Sequence, residues 1–166
     1  MKKIVLAIIA VMVPLMLSAG STDFWFRHFS VEDGLSSSAV RAIMQDKYGF
    51  MWLGTDDGLN RYDGTTIKIY RLNPEGVNDY ISFLYDTTDR IWIGTGDGVY
   101  IYDYEAESFE PFKLLTAKGD SIKTNVNHIA EDRDGNLWFS TVGQGIFKYN
   151  VSKHYLEHYE FKDADG

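Results

Sequence analysis

The sequence predicts an all-β protein: a β-propeller of four-stranded antiparallel blades, with about three blades present and the ring incomplete in this chain. Three observations carry that prediction. First, a tryptophan-centred segment occurs three times, as Asp46-Lys-Tyr-Gly-Phe-Met-Trp52-Leu-Gly-Thr, Asp86-Thr-Thr-Asp-Arg-Ile-Trp92-Ile-Gly-Thr and Asp132-Arg-Asp-Gly-Asn-Leu-Trp138-Phe-Ser-Thr, with Trp to Trp steps of 40 and 46 residues. A repeat of that period marks stacked units such as propeller blades. Second, each copy alternates with strand periodicity between turn residues, and no stretch of helical spacing is long enough to matter. Third, Met51-Trp52-Leu53 and Ile91-Trp92-Ile93 are apolar on both faces. A half-exposed sheet would not tolerate that, but a sheet packed between two others requires it.

The elements follow in order. Residues 1–20 read as a cleaved secretory signal: Lys2 and Lys3 precede an apolar run from Ile4 to Leu17, and Ser18-Ala19-Gly20 supplies small residues for cleavage. Fourteen apolar residues interrupted by Pro14 fall short of the ~20 needed to span a bilayer. Residues 21–166 then form the partial propeller. Within it, 21–36 hold a strand of the closing blade (24–29) and a loop, 37–76 blade one, 77–121 blade two and 122–166 blade three. In blade one the strands are expected near 39–45, 50–55, 59–62 and 66–70, with Asp63-Gly64 as a hairpin turn. Gly49, Asp89 and Gly135 fall at equivalent turn positions that call for positive φ, which aspartate tolerates better than most residues. Gly54, Gly94 and Ser140, two residues past each Trp, leave room for an indole from the next layer.

Composition excludes several functions. With 24 acidic against 16 basic residues the net charge is −8, and −10 once Lys2 and Lys3 leave with the signal, so no nucleic acid is expected to bind this segment. Zero cysteines exclude disulfides and thiolate zinc sites. Gly94-Thr-Gly-Asp-Gly98 is followed by Val-Tyr-Ile-Tyr, a strand, so it cannot serve as a helix-opening phosphate loop. Asp132-Arg-Asp-Gly-Asn136 begins like a calcium loop but has Leu137 and Gly143 where glycine and glutamate are required. His154 and His158 sit in a strand-like run without a third ligand, and no nucleophile motif occurs. No cofactor, metal or catalytic residue is therefore assigned. Asp46, Trp52, Asp86, Trp92, Asp132 and Trp138 recur at the same place in every copy, so they answer a problem that every blade shares: Asp caps the turn between first and second strands, and Trp packs between blades.

The stretch from Phe26-Arg-His-Phe-Ser-Val-Glu-Asp-Gly-Leu through Asp46 to Trp52-Leu-Gly-Thr-Asp-Asp-Gly-Leu-Asn-Arg-Tyr-Asp-Gly64 resembles the two-component regulator propeller repeat, in the N-terminal part of the sensor region of hybrid two-component histidine kinases. The resemblance implies a periplasmic segment of a membrane-anchored parent that recognises an oligosaccharide and regulates polysaccharide-utilisation genes. It implies as partners the remaining blades of a longer chain; a ring closed by a homodimer or other oligomer is the alternative. A propeller glycosidase, a polysaccharide lyase fragment and a lectin-like ring of short subunits are the competing functions. Up-and-down connectivity gathers the longer, blade-specific loops on one face, and Asp57, Asn78, Tyr80, Asp97 and Gln144 there offer the hydroxyl partners and aromatic plane that a sugar needs.

Overall fold

A computed structural model of the chain describes residues 25–72 and 79–160. The signal at 1–20 and Asn78 lie outside the described residues. Twelve strands form three four-stranded antiparallel sheets, each with its strands adjacent in chain order. Blade one is β1 (Val40–Gln45), β2 (Met51–Thr55), β3 (Gly58–Tyr62) and β4 (Ile67–Tyr70); blade two is β5 (Ile81–Asp86), β6 (Arg90–Thr95), β7 (Gly98–Asp103) and β8 (Ser108–Pro111); blade three is β9 (Val126–Glu131), β10 (Leu137–Thr141), β11 (Ile146–Asn150) and β12 (Tyr155–Tyr159). The first strands β1, β5 and β9 pack on one another, so they line the inside of an open arc of three blades.

Two apolar layers hold the arc together, one between each pair of blades. Trp52 and Leu59 of blade one meet Ile81, Leu84 and Tyr102 of blade two, and Trp92 and Val99 of blade two meet Val126, Phe139, Phe147 and Tyr149 of blade three. The indole of Trp52 lies 5.2 Å from the Tyr102 ring, and that of Trp92 lies 5.8 Å from both Phe139 and Tyr149. Trp138 occupies the same ladder position in blade three, but no blade follows it among the described residues. It is only half-buried, stacked on Tyr159 of its own sheet.

Residues 25–30 join no ladder, and Trp25 and Phe26 are each 93% exposed. The strand expected at 24–29 belongs to a closing blade whose other strands are not among the described residues, Phe24 itself lies outside them, and a strand's N–H and C=O groups need such an edge to pair with. A 3-10 turn (Val31–Asp33) follows, closed by a reciprocal cap between Ser30 and Asp33.

Two local expectations are corrected by the backbone. Gly49 and Gly135 do adopt positive φ, +89° and +78°, as the last residues of three-residue hairpin loops. Asp89 does not. In blade two the Thr87 N–H donates to the Arg90 carbonyl at 2.9 Å, which encloses only Thr88 and Asp89 and removes the position that demanded a left-handed residue. The space beside Gly54 and Gly94 is also filled differently. A Cβ on Gly54 would meet Ile81 Cγ2 at 2.6 Å and one on Gly94 the Val126 carbonyl oxygen at 3.0 Å. These glycines admit the first residue of the next blade's inner strand, not an indole.

Candidate functional site

The repeated Asp and Trp are joined by a hydrogen bond in blades one and three, but not in blade two. Asp46 accepts from the backbone N–H of Tyr48 and Phe50, and its other oxygen accepts from Trp52 Nε1 at 2.7 Å. Asp132 does the same with Asp134 N, Asn136 N and Trp138 Nε1 at 2.9 Å, and Asn136 Nδ2 adds a further donor. Both carboxylates cap the hairpin and anchor the indole. Asp86 is six residues before its Trp like the others, but the shorter turn pairs it with Ile91 in the ladder and displaces it from that geometry. Its carboxylate accepts from Tyr104 Oη at 2.9 Å. Burial pushes its pKa up, partly offset by that hydrogen bond.

The turns β2–β3, β6–β7 and β10–β11 and the links between blades lie on one face. There, the N–H of the residue after each second strand (Asp56, Gly96, Val142) donates to the carbonyl just before the blade's first strand (Ala39, Tyr80, Asn125), which ties each link to its own blade. The side chains expected to bind ligand are largely occupied in similar bracing. Arg71 grips the Asp57 carboxylate with both terminal nitrogens, one at 2.9 Å. Asp97 accepts from Thr95 Oγ1 at 2.7 Å. Gln144 accepts from Lys123 N at 2.9 Å and donates to the Ser121 carbonyl at 3.2 Å, clamping the link between blades two and three. Tyr80 is half-buried, with the Arg41 guanidinium 5.9 Å from its ring centre; Arg41 in turn makes a bidentate pair with Asp56 at 2.7 and 3.0 Å.

Asp97 lines a groove of about 350 Å³ whose walls include Lys113, Ser121 and Lys123 but neither Asp57, Tyr80 nor Gln144. A wider, open groove of about 850 Å³ follows the outer edge of blade three between Leu115–Asp120 residues of the link and β12. There His158 stacks on Phe147 at 4.1 Å, its Nε2 donates to the Gln144 carbonyl and its Nδ1 faces Asp120 at 3.4 Å. His154 is hydrogen-bonded to Tyr149 Oη at 2.8 Å in the β11–β12 turn. Both histidines are thus engaged by protein groups.

Two residues on this face escaped the sequence reading. Asn60, fully buried, binds the Ser36 N–H at 2.9 Å and the Ser36 hydroxyl at 2.8 Å, so the segment before β1 is docked on blade one. Only its place opposite Leu53 in the ladder, unlike the apolar Phe147 of the third copy, could have signalled it. Asn125 Oδ1 is buried and has no hydrogen-bond partner among the described residues.

The model of the two-component regulator propeller family matches residues 34–57 and 121–143. Those two stretches carry the Asp–Trp anchors of blades one and three, while blade two, with its shortened turn, falls outside them. Histidine kinase P4 of Formosa agariphila is 56% identical over 59 residues, which is 36% of this chain and 4% of that protein. The extracellular domain of a hybrid two-component system from B. thetaiotaomicron superposes with a TM-score of 0.71 at 30% identity, over 80% of this chain and 20% of that one. A second such domain from the same organism shares the fold, with a TM-score of 0.62 at 23% identity, over 86% of this chain and 23% of that one. The chain therefore spans less than a quarter of each of these relatives.

Proposed function

We propose that this chain is a ligand-sensing propeller segment of the periplasmic region of a two-component sensor kinase, and that it takes part in recognising an oligosaccharide that controls polysaccharide-utilisation genes. The observation that carries the reading is the superposition of 80% of the chain on the extracellular domain of a hybrid two-component system at 30% identity. The site chemistry supports a binding module without catalysis. A glycosidase needs two carboxyl groups flanking a glycosidic bond, whereas Asp56 and Asp57 are each gripped by an arginine and Asp97 by a threonine hydroxyl. The basic n-region and apolar run of residues 1–20 support export. Asp57, Asn78, Tyr80, Asp97 and Gln144 remain the candidate contacts on the long-loop face, and further blades of a longer chain or a second copy would complete the ring.

Calorimetry on the whole extracellular region with neutral and sulfated oligosaccharides tests this reading. Neutral ligands are expected to bind, and the net negative charge disfavours polyanionic glycans only weakly, because its field is screened within ~8 Å. Binding confined to highly sulfated ligands, or no binding by any sugar, would overturn it.

A further inference from the structure

The opposite face carries the β1–β2, β5–β6 and β9–β10 turns and the β3–β4, β7–β8 and β11–β12 turns. Propeller geometry brings the β1–β2 turn of blade one against the β7–β8 turn of blade two. Between them lies a pocket of about 220 Å³ lined by Tyr48, Phe50, Arg61, Tyr102, Tyr104 and Glu107, with Asp46 at its base. Tyr48 is 63% exposed and meets the edge of Tyr104 at 5.2 Å. Tyr104 is held in place by its hydrogen bond to Asp86, and the Lys47 amine lies 4.4 Å from its ring centre. The Arg61 guanidinium lies 4.6 Å from the centre of Phe50 and 5.7 Å from that of Trp52. Its N–H groups make no hydrogen bond or ion pair with any described residue.

The chain contains its own control. The crevice between blades two and three is built from the equivalent turns and keeps a tyrosine, Tyr149, at the place of Tyr102 and an arginine, Arg90, in its wall, but where Tyr48 and Tyr104 stand in the first pocket it carries Thr88, Asp89, Val151 and His154. Opposite the tryptophan, where blade one has Arg61, blade two has Ile101 and blade three Lys148, whose amine lies 3.9 Å from Asp132. Packing between blades therefore does not require tyrosines at the places of Tyr48 and Tyr104, nor an arginine at the ladder position of Arg61. What solves the shared structural problem recurs in every blade; what differs at a solvent-open rim answers something else.

We infer that this pocket is a second sugar-binding site, taking one pyranose ring of a neutral oligosaccharide. Apolar C–H faces of the ring lie against Tyr48 and Tyr104, and vicinal hydroxyls donate to Glu107 and accept from the fork of Arg61. The volume is below the ~300–1,000 Å³ of sites for larger ligands, so one ring of a chain enters and the rest runs outward. Local charges of both signs favour a neutral ring over a uronate or sulfated one. The inference rests on the sugar-sensing reading above but assigns ligand to the face that lacks the longer loops.

The test is calorimetry and saturation-transfer NMR on the full chain with laminarihexaose, mannohexaose and xylohexaose at millimolar concentration. The variants are Tyr48→Ala, Arg61→Lys, and a combined Asp57→Asn, Tyr80→Ala and Asp97→Asn variant. Tyr48 is exposed and Arg61→Lys keeps the charge and stem, so both should fold; circular dichroism verifies it. The expected result is about tenfold weaker binding of at least one hexasaccharide by each pocket variant. Undiminished affinity in both pocket variants overturns the inference; if the triple variant alone loses affinity, the sugar-sensing reading survives without it. Failure of all three hexasaccharides to bind the parent chain overturns this inference alone, because the sugar-sensing reading is decided by calorimetry on the whole extracellular region.

Discussion

Replacing Trp92 and Trp138 by alanine, in separate variants, asks whether inter-blade burial stabilises this fold. The two residues occupy the same ladder position in consecutive blades, yet Trp92 is 4% exposed between two sheets while Trp138 has a sheet on one side only. A buried aromatic removes ~150–250 Å² from water, worth at most ~4–6 kcal/mol at ~25 cal/mol per Å². Deletion series for large buried aromatics give ~3–5 kcal/mol. Trp92→Ala is therefore expected to cost about 3–5 kcal/mol. Trp138→Ala, losing the stack on Tyr159 and the bond to Asp132, should cost about 1–2 kcal/mol. With a urea m-value of ~2 kcal/mol/M, the midpoints should fall by about 2 M and about 0.5–1 M respectively. Urea titration followed by far-ultraviolet circular dichroism at one fixed chain concentration reads both. Equal shifts for the two variants, or a Trp92→Ala midpoint matching the parent's, would refute the argument.

Gly54→Ala should cost more than about 2 kcal/mol in the same assay, because the added methyl overlaps Ile81 and forces blades one and two apart. Asp89→Gly should cost about 0.5–1 kcal/mol, since the residue does not need positive φ and glycine only adds freedom to the unfolded chain. The Trp138 indole and Asn136 amide hold the Asp132 carboxyl well below the usual carboxylate range. The unfolded state thus binds its proton more readily, so this contribution is present above about pH 4 and is lost as pH falls further; Asp132→Asn should flatten that acid limb of a stability-versus-pH curve. Asp86 has the opposite sign: burial raises its pKa, so the folded state binds the proton more readily and stability drains as pH rises from about 4. Asp86→Asn keeps an acceptor for Tyr104 and should unfold at higher urea than the parent at neutral pH. The outer faces of blades one and three, with Ile43 66% exposed, should make the chain self-associate at micromolar concentration, and a single monomeric species by light scattering would count against that.

Much of the fold was legible in the residues because its signals are local. Trp52, Trp92 and Trp138 locate the second strands, and Gly49 and Gly135 end three-residue turns, since strand alternation and positive φ depend on near neighbours only. What sequence alone could not decide was register and partnership across blades. Asp86 aligns with Asp46 and Asp132 by spacing, yet one residue fewer in the turn sends it to Tyr104, a residue of the β7–β8 turn. Asp57, Asp97 and Gln144 lie in the turns that join second to third strands. Whether they face ligand or brace a link depends on Arg71, Thr95 and the Ser121–Lys123 backbone, which folding brings beside them. The pocket around Arg61 is decided in the same way: Tyr48 and Tyr104 are distant in the chain and meet only because two twisted sheets pack face to face. Local chemistry determined the blades, and the packing of one blade on the next determined which side chains share a site.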